Sequence, residues 1–128
     1  MNDKQKVYMN KQQVKVFNDL SNTFNLPVFE DEIAEDELPS QYNYFLVVYG
    51  DFTSTNSHGQ LSQEVYVVYV SEDNADVETT TLDIISTMSL VPGFTFNRTV
   101  KERVQKDEQD DYIDQVTIIF RRKISYEC

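Results

Sequence analysis

Between Tyr42 and Phe52 the chain reads Tyr-Asn-Tyr-Phe-Leu-Val-Val-Tyr-Gly-Asp-Phe, almost continuous in apolar and aromatic side chains. A strand with one wet face alternates polar and apolar residues, and a run without alternation suits a strand covered on both faces. This segment therefore belongs inside a sheet, and the rest of the chain must supply its neighbours and covers. Glu64 to Val70, Glu-Val-Tyr-Val-Val-Tyr-Val, is the returning strand, expected to pair antiparallel with it. The stretch Asp51 to Gln63 holds Ser, Thr, Asn, His and Gly with little apolar content besides Leu61. It reads as a long hairpin loop, expected to be mobile in an isolated subunit and ordered on assembly.

The flanking segments fill in the remaining elements. Lys4 to Phe24 is rich in Lys and Gln, with Val7, Val14, Phe17 and Phe24 at steps of seven, three and seven. That spacing predicts a helix with a narrow apolar face, widened by Val16 and Leu20 and ended by Pro27. A short extended piece, Val28-Phe29, precedes the acidic run Glu30 to Glu37, expected to be a solvated loop or edge strand closed by Pro39. Ser71 to Asp76 offers several N-caps for a second helix, on which Val77, Thr81, Ile84, Ile85 and Met88 share a face and which Pro92-Gly93 terminates. Phe94, Phe96, Val100 and Val104 have one parity and predict a strand with one dry face. Asp107 to Asp111 makes a turn into the last strand, Tyr112 to Tyr126, whose dry face carries Val116, Ile118, Phe120 and Ile124. The expected fold is α+β over residues 1–128: one mainly antiparallel sheet of about four long strands with two helices packed on one face.

Composition limits the chemistry. Three glycines, Gly50, Gly59 and Gly93, cannot assemble a phosphate-binding loop or a dinucleotide fingerprint. One His and one Cys, His58 in a polar loop and Cys128 at the end, exclude a Cys/His zinc site within one chain and argue against a Cys-His nucleophile. Neither acidic cluster, Glu30 to Glu37 or Asp107 to Asp114, matches a calcium loop, the second lacking its central Gly and terminal Glu, and both read as solvated loops. No catalytic, metal or cofactor site is expected. A net charge of -11 repels phosphate backbones, so ordinary nucleic-acid binding is disfavoured, and no apolar run reaches the roughly 20 residues of a membrane span.

The remaining features point to assembly. Tyr42, Tyr44, Tyr49, Tyr66 and Tyr69 crowd the central hairpin, where they either line the core or form a contact surface. Arg121-Arg122-Lys123, with Arg98, Lys101 and Arg103, stands against the acidic background and suits either cross-strand pairs or head-to-tail contacts between copies. The candidate interface residues are Tyr49, Asp51, Phe52, His58, Leu61, Tyr66, Arg121 and Arg122.

This order of elements, from the helix over Lys4 to Phe24 to the closing hairpin that ends Val116-Thr117-Ile118-Ile119-Phe120, resembles that of siphophage tail-terminator and tail-to-head joining proteins. The resemblance implies a structural virion protein made in the host cytoplasm, a hexameric ring of this chain with itself that caps the tail tube. Its other partners would be the tail tube protein and the head-tail connector protein, with DNA passing through an acid-lined channel without specific binding and no membrane involved. The alternative is a small acidic inhibitor that mimics DNA and binds a basic host enzyme.

Overall fold

The structure, a computed structural model, describes residues 1–31, 43–105 and 112–127. The acidic run from Glu32 to Glu37, Pro39, Tyr42, the turn at Asp107 to Asp111, and Cys128 lie outside the described residues. In chain order the elements are α1 (Asp3–Phe24), β1 (Val28–Glu30), β2 (Asn43–Ser54), β3 (Gln60–Glu72), α2 (Val77–Met88), β4 (Phe94–Gln105) and β5 (Tyr112–Ser125). They form one sheet in the order β1-β2-β3-β5-β4, antiparallel except for the parallel pair β1 and β2. The fold is α+β with both helices on one face, as expected, plus a short fifth strand.

Strand parity sets the core. Phe45 and Val47 on β2, Val65, Val67 and Tyr69 on β3, and Val116, Ile118 and Phe120 on β5 all face the helices and are buried. Val16 and Leu20 of α1, Val77, Ile84 and Met88 of α2, and Val91 after it close over them. Each such side chain removed from water stabilises the fold by about 1.5–3 kcal/mol. Phe45 is the centre, stacked on Tyr69 at 5.3 Å and met edge-on by Phe24 at 5.5 Å.

Local chemistry ends the helices. Asn25 takes a left-handed conformation (φ 55) and its N–H bonds Ser21 O, so α1 stops two residues before Pro27. Pro27 O then accepts from Phe45 N and starts the parallel pairing of β1 with β2. The Asn74 side chain accepts from the Asp76 N–H to shape the entry to α2, and Gly93 (φ +87) turns the chain out of it.

Three expectations are corrected. Val7, Val14 and Phe17 are exposed; the buried stripe of α1 is Gln12, Val16 and Leu20, spaced by four. The segment Asp51 to Gln63 is mostly strand: β2 continues to Ser54, β3 starts at Gln60, and only Thr55 to Gly59 form the turn. In β4 a bulge between Phe96 and Arg98 reverses the parity, so Phe94 faces the core while Val100 and Val104 project from the opposite face and are exposed.

Candidate functional site

An assembly surface is built from strand edges, sheet faces and the residues that the hairpins carry beyond the core. β4 is the last strand of the sheet and pairs only with β5 among the described residues. From Asn97 to Gln105 it is exposed on both faces. At the opposite side, β1 pairs with Phe45 to Val47 of β2, and among the described residues no strand pairs with the outer edge of β2 from Val48 to Ser54. An open edge presents a row of unpaired N–H and C=O groups, a template for another strand. The two edges differ in sequence and run in opposite directions, because β2 and β5 are each antiparallel to β3, and β4 is antiparallel to β5.

The face of the sheet away from the helices is apolar at its centre. Tyr44, Leu46 and Val48 of β2 lie beside Tyr66, Val68 and Val70 of β3, with Thr117 and Ile119 of β5 next to them, and none of these faces a described helix. Toward the hairpin this face turns polar. Tyr66 donates its hydroxyl hydrogen to Glu64 Oε2 at 2.6 Å, which raises the tyrosine's pKa, and Arg121 reaches Glu64 Oε1 at 4.0 Å. With Asp51, Thr53, Ser54 and Ser62 they line a shallow depression of about 580 Å³. Gly50 is required there, because a Cβ would stand 2.9 Å from the Tyr66 ring and 3.1 Å from Glu64 O. The extra residue in β2 between Tyr49 and Phe52 then re-aims the end of the strand. Phe52 sits opposite Gln63, on the helix-bearing face, and half its surface is exposed.

The structure thus brings Asp51, Tyr66 and Arg121 together on one surface. Phe52 and Leu61 lie on the other face of the same hairpin, Leu61 half-buried opposite Ile124, and His58 is exposed in the turn. Tyr49 belongs to the core rim: it packs against the buried cluster, and burial, opposed by Arg122, raises its hydroxyl pKa to about 12.

Arg122 is corrected from surface to interior. It is 1% exposed, because it follows Phe120 and precedes Ile124 on the helix-facing parity of β5. Its Nε donates to Gln63 Oε1 at 2.9 Å and its Nη1 to Gln12 Oε1 at 3.0 Å. The far ends of both amides are also anchored, Gln63 on Gly50 O and Gln12 on Pro92 O, each at 2.8 Å. The guanidinium lies 4.8 Å from the Tyr49 ring centre. No carboxylate pairs with it among the described residues, and burial lowers its pKa. The set ties α1, β2, β3, β5 and the turn before β4 together, and Gln12 and Gln63 were the members that sequence reasoning missed. Elsewhere on the sheet Arg103 makes a bidentate pair with the buried Asp114, at 2.7 and 3.0 Å, a cross-strand pair of the kind weighed for the basic stretch.

Among the described residues no group of three His, Cys, Asp or Glu side chains is placed to hold a metal ion, and no helix is long and apolar enough to cross a membrane. No protein-family model and no curated protein sequence matches the chain. Solved structures do: one similar chain, 15% identical with a TM-score of 0.51, comes from the virion of a native gene transfer agent particle. The match covers 88% of this chain and 93% of that one, and at this identity the likeness establishes a shared fold.

Proposed function

We propose that this chain is a structural protein of a phage-like virion that closes into a ring, caps the tail tube and joins it to the head connector. The observation that carries the reading is the pair of unlike sheet edges left open among the described residues, β4 on one side of the sheet and Val48 to Ser54 on the other. Joining unlike edges is a heterologous contact, which either closes into a ring or propagates as a filament. Because the two edges run in opposite directions, copies that repeat with the same strand orientation pair antiparallel, the stronger ladder. The likeness in fold to a chain of a gene transfer agent virion supports a setting of this kind. In this reading Asp51 and Phe52 lie at the joint, and the hairpin tip with His58 reaches toward the tube or the connector. The acidic balance of the chain keeps DNA from adhering as it passes. The role needs no cofactor and no catalytic group.

Cysteine cross-linking tests the edges directly. In a Cys128→Ser background, Thr53→Cys is combined with Val100→Cys or Val104→Cys, all on the face away from the helices. Mild oxidation is expected to give a ladder of covalent oligomers ending at one closed species, whereas each single cysteine gives at most dimers. Absence of any ladder from either pair, with the protein concentrated and folded, would overturn edge-to-edge assembly.

A further inference from the structure

Charge is sorted along the strands. At the end where β3 begins and β5 finishes, Arg121 and Lys123 stand on β5, Arg98 lies across from Ile119, and the first half of α1 brings Lys4, Lys6 and Lys11. Two bonds hold α1 at this end, Glu127 N to Asn2 Oδ1 and Arg122 Nη1 to Gln12 Oε1. The opposite end, about 40 Å away along the 13 residues of β3, is acidic. Glu72 closes β3 there, Asp73, Asp76 and Glu78 lead into α2, and the sequence joining β4 to β5 holds Asp107, Glu108, Asp110 and Asp111. Two open depressions lie at the basic end, and no carboxylate lines either among the described residues. One, of about 350 Å³, lies between α1 and the end of β5, with Lys4, Gln5, Tyr8, Lys123 and Ser125 in its walls. The other, of about 670 Å³, sets Arg121 and Lys123 beside the hydroxyls of Thr55, Ser62 and Thr95. Lys4 and Lys123 make no ion pair among the described residues, and Arg121 only approaches Glu64 at 4.0 Å.

We propose that this end of the domain binds a carboxylate-rich protein surface, whose side chains enter the two depressions and pair with Lys4, Arg121 and Lys123. Ammonium, guanidinium and hydroxyl groups are the donors a carboxylate accepts from, and here they line open space instead of pairing within a chain of net charge -11. The acidic end of the same chain is too far away to supply the anions. Nucleic acid fits less well. Asp3, Asp51, Glu64 and Glu127 interrupt the cations, so no continuous basic track follows a phosphate backbone, and the net charge repels one. A further step rests on the ring reading given above: copies sharing one strand orientation bring the same end to the same rim. One rim is then basic and the other acidic, and the two neighbours along the particle axis present surfaces of opposite sign.

A fluorescein-labelled oligoglutamate peptide serves as the probe, read by fluorescence anisotropy. Binding is expected at low salt and should weaken as salt rises. Carbodiimide coupling followed by mass spectrometry should join the peptide to Lys4 and Lys123, not to Lys15 or Lys101. Lys4→Glu with Lys123→Glu is expected to weaken binding about tenfold, since like charges then meet. Lys15→Glu with Lys101→Glu changes the net charge equally but lies outside both depressions, and should leave binding within about twofold of wild type. Far-ultraviolet circular dichroism checks that each variant is folded. Absence of peptide binding, an equal loss from both pairs of changes, or coupling spread over all the lysines would overturn the proposal. A DNA duplex that binds more tightly than the peptide would also overturn it, by assigning the site to phosphate. The peptide needs no ring, so binding by a protein that stays monomeric upholds the basic end and removes only the rim.

Discussion

Arg122→Glu is expected to destabilise the domain by about 3–5 kcal/mol or more, whereas Arg121→Glu, one residue earlier, costs little. The Arg122 side chain points into the polar set formed by Gln12 and Gln63, both of which present amide oxygens to it. A carboxylate there would face two acceptors and carry an unpaired buried charge, costing about 3–5 kcal/mol or more. Domains of this size are typically stable by only about 5–15 kcal/mol. Arg121 is exposed and 4.0 Å from Glu64, a contact of the kind worth roughly 0–1 kcal/mol, so its reversal costs little. Arg122→Met, which keeps the volume without the charge, is expected to fall between the two. Urea unfolding of the three variants measures this, and an Arg122→Glu protein within about 1 kcal/mol of wild type would contradict the buried placement.

Leu20→Ala should destabilise the domain by about 3–5 kcal/mol, while Phe17→Ala, one turn earlier on the same helix, should be nearly neutral. Leu20 is 0% exposed within the core between the helices and the sheet, and truncating it removes buried area and leaves a cavity. Phe17 lies on the solvent side of α1, and its loss leaves the core unchanged. Equal destabilisation by the two substitutions would mean that α1 is rotated from its described position.

Much of the fold was legible in the sequence, and the failures have particular causes. The unbroken run after Tyr42 marked a strand that lies between β1 and β3 from Phe45 to Val47, although no described helix covers its second face, and Val116, Ile118, Phe120 and Ile124 share the core face as their parity predicts. On α2 the buried set Val77, Ile84 and Met88 also matches the expected face. α1 misled because its inward stripe contains Gln12, while three apolar residues were left outside; choosing a face by apolar content selects the wrong side when a helix is apolar on both. The β2-β3 hairpin was read as a loop because its strands extend past the core, where neither face needs apolar residues, so periodicity carries no signal. In β4 a single bulged residue inverted every later side chain. Arg122 sits on the dry parity that its neighbours define, and that register was the available signal. Its charge argued for the surface, but two glutamines distant in sequence supply the partners that allow burial.

The central claim is that copies of this chain close into a ring on the end of a tail tube. Native mass spectrometry of the purified protein, alone and after incubation with tubes assembled from the tube protein of the same particle, tests it most directly, with electron microscopy of the tube ends as the companion readout. The account predicts one closed oligomer of fixed copy number, formed on or stabilised by the tubes, seated at their ends and stopping further growth. Monomers or open-ended filaments that leave tube length unchanged, or a monomer that instead binds a basic nuclease tightly, would contradict it.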